Sequence, residues 1–395
     1  MIEPCLAKPD SSIAIHGEHL RLVVFNAIPD NARFRQAWDE LVYRMECPEV
    51  FYTCEWAEAV IRAFSGSLQP LIFAAYRGQE LAAIAAMQLD SDGYVSFLTA
   101  LTADYCDLVC APGDRADVWE LLLAHIASMK SIHGLRLANL PADSASVPAL
   151  RSAAQASRYS IFMRPAYYCA QILLDSPGQR QAAAQAAKRR IKKLAAAGAG
   201  LGEVRVEHVR TWEGFAAEFP RFTSTHIERF RAAGQVSNLV CPERQRFAAE
   251  LAQRLSAKGW LALSALKVKE NTVAWNYGFT FANKWFYYQP TFALSARRLS
   301  PGTYLLSEII LAACQDAGIG IVDLGLGDEE YKARFAESGR RTLHVTVSGS
   351  KTKVAWSAAR YHAAALVKRS SGLEKFARLC RNKLHGFRNG AVSQA

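Results

Sequence analysis

The chain has 395 residues, 51% of them hydrophobic and 21% charged, with a net charge of +11. That composition excludes a disordered or fibrous protein and allows two sizeable cores. Residues 351–395 hold five Lys and five Arg against the single acid Glu374, so nearly all the basicity belongs to the tail and little to the body.

The nine cysteines show no disulfide framework. Cys106 and Cys110 lie close in sequence, at a spacing typical of neither a zinc site nor a redox pair, so reduced thiols and a cytoplasmic setting are expected, with no metal. The first residues, MIEPCLAKPDSS, lack the basic-then-apolar order of a signal peptide, and no long charge-free apolar run predicts a membrane span.

Alternation and helical spacing predict strand 20–26, helices 31–43 and 55–64, and strands 70–76 and 80–89 joined by a turn at RGQ. Strand 94–99, a long polar loop, helix 115–130, strand 135–139, helix 147–157 and strand 159–163 follow. The Ala-rich QAAAQAAKRRIKKLAAAGAG (181–200) reads as a helix ended by glycines. Its cations Lys188, Arg189, Arg190, Lys192 and Lys193 suit either a solvated helix end or an anion contact.

The second half repeats the order of the first. Strand 204–209 is followed by helices 212–232 and 242–257, then a meander of strands 261–268, 272–281 and 284–289. Helix 303–317, strand 321–324, helix 329–337 and strand 342–348 complete it. The repeat is one of pattern, not of residues. An α/β fold with mixed sheets results, in two tandem units, 1–165 and 166–350, with a basic amphipathic helical tail over 351–395.

One loop carries the first functional expectation. RRLSPGTYLL (297–306) hands a strand to a helix, where free N–H groups and the positive end of the dipole favour a phosphate. Gly302 permits close backbone approach, Pro301 suits a helix start, and Arg297 and Arg298 add charge. The expected phosphate-binding set is Arg297, Arg298, Leu299, Ser300, Gly302, Thr303 and Tyr304.

The segments KRRIKKL (188–194), FTSTHIERFRAAG (222–234), WFYYQPTF (285–292), LSPGTYLL (299–306) and DLGLGDEEYKARF (323–335) resemble the GNAT acyltransferase superfamily. The likeness is greatest to the acetyltransferase family of the cellulose-biosynthesis CelD/BcsL type, relatives of the FemAB-like double-GNAT proteins. The first half resembles it in element order and in FYTCEWAEAV (51–60). The resemblance implies two tandem GNAT-like domains, an acyl-CoA donor, most simply acetyl-CoA, and pantetheine laid between two splayed strands. The loop at 299–304 departs from the commoner Arg/Gln-x-x-Gly-x-Gly/Ala pattern. The first unit's loop, TADYCDLVCAPGDRAD, is long and acidic. That unit is therefore expected to be degenerate for cofactor and to wall the acceptor site.

Acyl transfer needs a base, an oxyanion site and an acid for the leaving thiolate. His226 has the intrinsic pKa of a base, yet sits in an apolar stripe with Phe215, Phe219, Phe222 and Phe230. Superfamily members often place a tyrosine acid near Tyr331, with Tyr304 as rival. Asp323 ends a buried strand and needs a partner, for which Lys332 or Arg334 is available; Asp323 and Lys332 are thus candidates for catalysis or for an ion pair. Tyr287, Tyr288 and Gln289 are expected to line the acceptor tunnel, with Asp104, Tyr105 and Asp107 across the cleft.

The expected function is transfer of an acyl group from acyl-CoA to an amine or hydroxyl of a saccharide precursor. An aminoacyl-tRNA-dependent FemAB-like transferase and a non-catalytic polysaccharide-assembly component are the rivals. The tail could lie on anionic lipid at the inner face of the membrane or pack on the body. Nucleic acid is disfavoured, since no binding motif accompanies the charge.

Overall fold

The computed structural model describes residues 20–197 and 203–369. The first unit runs β1 (Leu20–Phe25), α1 (Ala32–Tyr43), α2 (Cys54–Ala63), β2 (Gln69–Arg77), β3 (Glu80–Leu89), β4 (Tyr94–Phe97) and the short β5 (Val109–Cys110). It continues α3 (Arg115–Ser128), β6 (Gly134–Pro141), α4 (Ser146–Ala156) and β7 (Ser160–Leu173). Helix α5 (Pro177–Ala197) leads to β8 (Val204–Val209), α6 (Trp212–Ala232), α7 (Pro242–Ala257), β9 (Leu261–Val268), β10 (Asn271–Phe281) and β11 (Lys284–Phe292). Then come α8 (Pro301–Gln315), β12 (Ile321–Leu326), β13 (Ser338–Ser348) and α9 (Lys351–Arg369).

Local chemistry sets the boundaries. Asn31 Oδ1 accepts from the N–H groups of Arg33 and Phe34, and Thr53 and Thr211 cap α2 and α6. The β2–β3 turn places Gly78 at φ +59°. Helix α6 runs unbroken through Pro220.

The strands form one mixed sheet in the order β1-β2-β3-β4-β6-β13-β7-β12-β11-β10-β9-β8, with β5 on β3. Only β4–β6 and β11–β12 among the described ladders are parallel. The last strand of each unit crosses over. β13 pairs β6 of the first unit, and β7 pairs β12 of the second. The two exchanged strands pair each other from Ser338↔Gln171 to Ser348↔Ser160. Residue 165, placed at a unit boundary by the sequence, lies inside β7.

One core covers the first unit and continues under α6 and α7 through Phe215, Phe222, Phe247 and Leu251. A second lies under α5 and α8, built from Leu174, Ala187, Leu305, Ile309 and Val322. Helices α5 and α8 run antiparallel. The Arg180 guanidinium, at the start of α5, donates to the carbonyls of Ala313, Cys314, Asp316 and Ile319 at the end of α8.

The helix expected over 329–337 is instead a single 3₁₀ turn, Lys332–Arg334, and β13 begins at Ser338. Gly325 and Gly327, at φ +69° and +111°, turn the chain out of β12. Lys332 Nζ then donates to the carbonyls of Gly325, Leu326 and Gly327 at 3.1, 2.7 and 3.3 Å and ties the segment back as a loop. That tether overrides the helix propensity of EEYKARF. The tail helix α9 packs on β7 and β13, with Val354 buried and Tyr361 against Phe162. The expected tail beyond residue 369 lies outside the described residues.

Candidate acyl-transfer site between β11 and β12

Strands β11 and β12 pair over only three residues, Lys284↔Ile321, Trp285↔Val322 and Phe286↔Asp323. Beyond them the strands part. The register of β11 against β10 shifts between Tyr277 and Phe279, so Tyr287 and Tyr288 bulge opposite Gly278. A Cβ at Gly278 would lie 2.3 Å from the Phe286 carbonyl oxygen. A bulge of this kind releases backbone groups from the ladder and turns them toward the gap. On β12, Gly325 adopts φ +69°, and the register against β7 shifts between Asp323 and Leu326.

The first unit's 98–108 loop enters this gap. The Tyr288 hydroxyl donates to the Thr102 carbonyl at 2.6 Å, and the Leu326 N–H points at Asp104 Oδ2 at 3.4 Å. A Cβ on Gly325 would stand 2.7 Å from Asp104 Oδ2, so glycine is required there on two counts. Tyr105 donates to Asp323 Oδ2 at 2.8 Å. Asp104 is thus brought to the mouth of the gap, between the two splayed strands.

Asp104 is 9% exposed. Burial, with the nearby Asp323 carboxylate, pushes its pKa up to about 7. Asp323 is fully buried and saturated: Gln171 Nε2 donates to it at 2.7 Å, beside Tyr105, and the Gly325 N–H donates at 2.8 Å. Its partners are therefore neutral donors, not the expected Lys332 or Arg334. Lys332 is committed to the three carbonyls and to Glu329 at 2.8 Å. Asp107 faces the first unit's interior, where Ser144, Ser146, the Leu108 N–H and Arg115 surround it. Of the three acidic-loop residues, Asp104 alone reaches the gap as a carboxylate.

The start of α8 lies beside the gap. Ser300 adopts φ +48°, and no side chain caps the helix. Pro301 carries no N–H, and the Thr303 and Tyr304 N–H groups turn back to the Ser300 carbonyl at 2.9 and 3.1 Å. Gly302 has open space: a Cβ there would meet Phe292 at an ordinary 3.6 Å. Arg297, Arg298 and Ser300 are exposed, and Leu299 is half-buried. The helix start thus leaves one free backbone donor, the Gly302 N–H, and that donor, the open space at Gly302 and the two exposed guanidinium groups fit a phosphate.

Phe292 links this corner to the aromatic wall. Arg229 stands 4.7 Å over its ring and donates to the Pro290 carbonyl at 3.1 Å. Tyr287 is buried on the α8 side, with Tyr304 and Tyr331 against the same cluster. Burial first, then Glu329, raises the Tyr331 hydroxyl above its ordinary range, against the influence of Arg229. Gln289 points away and donates to Asn238 at 3.1 Å.

His226 is the fourth ring of a five-ring ladder. Phe215–Phe219, Phe219–Phe222, Phe222–His226 and His226–Phe230 centroids are 4.9, 6.2, 5.9 and 4.4 Å apart. Its Nδ1 lies 2.8 Å from Ser237 Oγ, which accepts from the Leu239 N–H at 3.0 Å. Burial, then Arg229, lowers its pKa to about 4. It is a neutral imidazole of low proton affinity that holds the turn before α7.

The equivalent gap of the first unit is filled by its own chain. β4 and β6 pair only at Tyr94↔Gly134 and Val95↔Leu135. Beyond, the Cys106 N–H donates to the Asn139 carbonyl at 3.0 Å and Asn139 Nδ2 to the Ala103 carbonyl at 2.9 Å.

Residues 183–333 match the acetyltransferase (GNAT) domain family. Over that segment, from α5 to the turn after β12, the fold is that of a GNAT domain. FemX is similar to this chain at 11% identity and a TM-score of 0.56, covering 79% of this chain and 95% of its own. The C-terminal domain (DUF2156) of a putative lysylphosphatidylglycerol synthetase from Agrobacterium fabrum is similar at 12% identity and a TM-score of 0.51, covering 82% of this chain and 93% of its own. No curated protein matches the chain.

Arg229, Gln171 and the bulge at Gly278 are site features that sequence pattern does not mark. The double glycine of DLGLGD was the available signal for the β12 bend; nothing local marks Gln171 as a partner of Asp323. Among the described residues no cluster of three or more His, Cys, Asp or Glu could hold a metal ion, and no helix is long and apolar enough to cross a membrane.

Proposed function

We propose that the chain is an acyl-CoA-dependent acyltransferase whose donor lies on the second unit and whose acceptor enters between the units. The carrying observation is the lapse of β11–β12 pairing beside an open, uncapped helix start. Pantetheine would lie in the gap, with its pyrophosphate on 299–304. The acceptor would be an amine or hydroxyl of a sugar or polysaccharide precursor, a class that rests on the sequence resemblance. The unit boundaries 1–165, 166–350 and 351–395 belong to this proposal, with the first unit as the acceptor wall.

In this reading Asp104 takes the proton from the acceptor nitrogen or oxygen, which attacks the thioester carbonyl. Backbone N–H groups released at the β11 bulge stabilise the oxyanion. The C–S bond breaks, and Tyr331 protonates the departing thiolate. Tyr288 and Tyr105 hold the 102–105 loop in place; His226 supports the wall and does not move a proton. Gly302→Asp tests the donor site: calorimetry should show CoA binding by the wild type and none by the variant, at an unchanged melting temperature. Equal affinities would exclude the site. Protection of the wild type by aminoacyl-tRNA and not by CoA would transfer the fold to the rival donor.

We also propose that residues 351–395 hold the protein at an anionic membrane surface. In α9, Lys351, Lys353 and Arg360 are exposed around Trp356, itself 67% exposed. Sedimentation with anionic but not neutral liposomes at low salt is expected. Full-length protein left in the supernatant would remove this role.

A further inference from the structure

The basic end of α5 takes no part in the proposed acyl transfer. From Lys188 to Lys193 it carries five cations, and 177–197 contains no Asp or Glu. Lys188/Lys192 and Arg189/Lys193 form two like-charged i,i+4 pairs, which destabilise an isolated helix. All four are exposed. The remaining cation, Arg190, turns inward: it donates to the Arg334 carbonyl and stands 4.4 Å over the Phe335 ring.

The packing fixes where this end lies. Arg180 anchors the start of α5 to the end of α8. At about 1.5 Å rise per residue, two antiparallel helices place Arg190 level with Tyr304 and Lys193 level with Pro301. Ala187, buried in the same cluster as Tyr304, Tyr331 and Phe335, is consistent with that alignment. The four exposed cations therefore lie level with the first turn of α8, on the solvent side of α5 away from buried Ala187, with Arg297 and Arg298 exposed on the loop before α8.

We propose that Lys188, Arg189, Lys192 and Lys193 bind the ribose 3′-phosphate of the CoA nucleotide. The assignment rests on the acyl-CoA reading above. A pyrophosphate on 299–304 leaves the nucleotide at the surface, where its third phosphate needs cations that the loop itself supplies only in part. Charge-assisted contacts to phosphate are the strong class of hydrogen bond, and an otherwise uncompensated cation stripe gains most from them.

Calorimetry with CoA and with 3′-dephospho-CoA tests this on the full-length protein. The wild type should bind CoA roughly tenfold or more tightly than the dephospho form. The variant K188Q/R189Q/K192Q/K193Q should bind both alike, at the wild type's dephospho affinity, with its melting temperature unchanged or slightly raised, because all four side chains are exposed and their like-charge pairs are gone. Equal binding of the two ligands by the wild type, or full discrimination kept by the variant, would overturn the assignment. Discrimination lost in R297Q/R298Q and kept in the α5 variant would move the phosphate to the loop and overturn it equally. A wild type that binds neither ligand would remove the acyl-CoA reading itself, and the clamp with it.

Discussion

Asp104 is the residue whose ionisation the proposed chemistry depends on. Its pKa of about 7 makes it a base matched to neutral pH, where His226 at about 4 is not. The rate kcat/KM should rise with pH and level off above about 7, and Asp104→Asn should lose about two to four orders of magnitude in turnover. The same shift has a stability sign. Between the unfolded value near 3.8 and the folded value near 7, the native state holds a proton that the unfolded chain has released. Stability from this group is therefore present at acid pH and lost as pH rises through that window. Asp104→Asn should flatten that slope in urea titrations; an unchanged slope would place the titrating group elsewhere. His226→Ala should lower stability by roughly 2–4 kcal/mol, as removal of a ring from a buried stack does, and leave turnover of the folded protein within threefold. A large loss of turnover at unchanged stability would return the imidazole to the mechanism. The histidine's place in its phenylalanine stripe was legible from spacing. The elevation of Asp104 was not, because it follows from burial against a strand far along the chain.

At the scale of elements, the sequence pattern locates strands and helices where periodicity and turn chemistry agree. Strands 204–209 and 261–268 and helices 212–232 and 242–257 fall where spacing placed them. The pattern departs from the structure at 329–337, where propensity favours a helix and Lys332 holds a loop. The bend at Gly325 ties this loop to the proposed site. It opens the gap, aims the Leu326 N–H at Asp104 and lets Lys332 gather three carbonyls. Gly325→Ala should cost about 1–3 kcal/mol from its left-handed φ alone. It should also displace the Asp104 carboxylate, so activity should fall further than stability explains. Activity that tracks only the folded fraction would show that the bend has no part in the site.

At the scale of the whole molecule, the exchange of β7 and β13 is the feature that sequence pattern could not reveal. Periodicity shows that a strand exists and which face is apolar; it carries nothing about a pairing partner in the other unit. The exchange makes the units one sheet, and a buried ion cluster fastens them. Glu49 of the first unit is fully buried, with Lys284 of β11 donating to it and Arg340 of β13 donating at 2.8 Å. Arg340 also grips Asp143 at 2.8 Å. Burial raises the Glu49 carboxyl above its usual range, against Lys284 and Arg340. Lys284→Met should therefore destabilise by roughly 3–5 kcal/mol near neutrality, since it leaves buried charge less compensated. With Lys284 gone, the folded pKa of Glu49 rises further, so the loss should shrink at acid pH, where the carboxyl is protonated in both states. Adding Glu49→Gln to Lys284→Met should recover part of the loss. Because the two units share one ladder, each variant should still unfold in a single transition reported alike by fluorescence and circular dichroism. Two separate transitions would mean that the exchanged strands do not bind the units into one cooperative body.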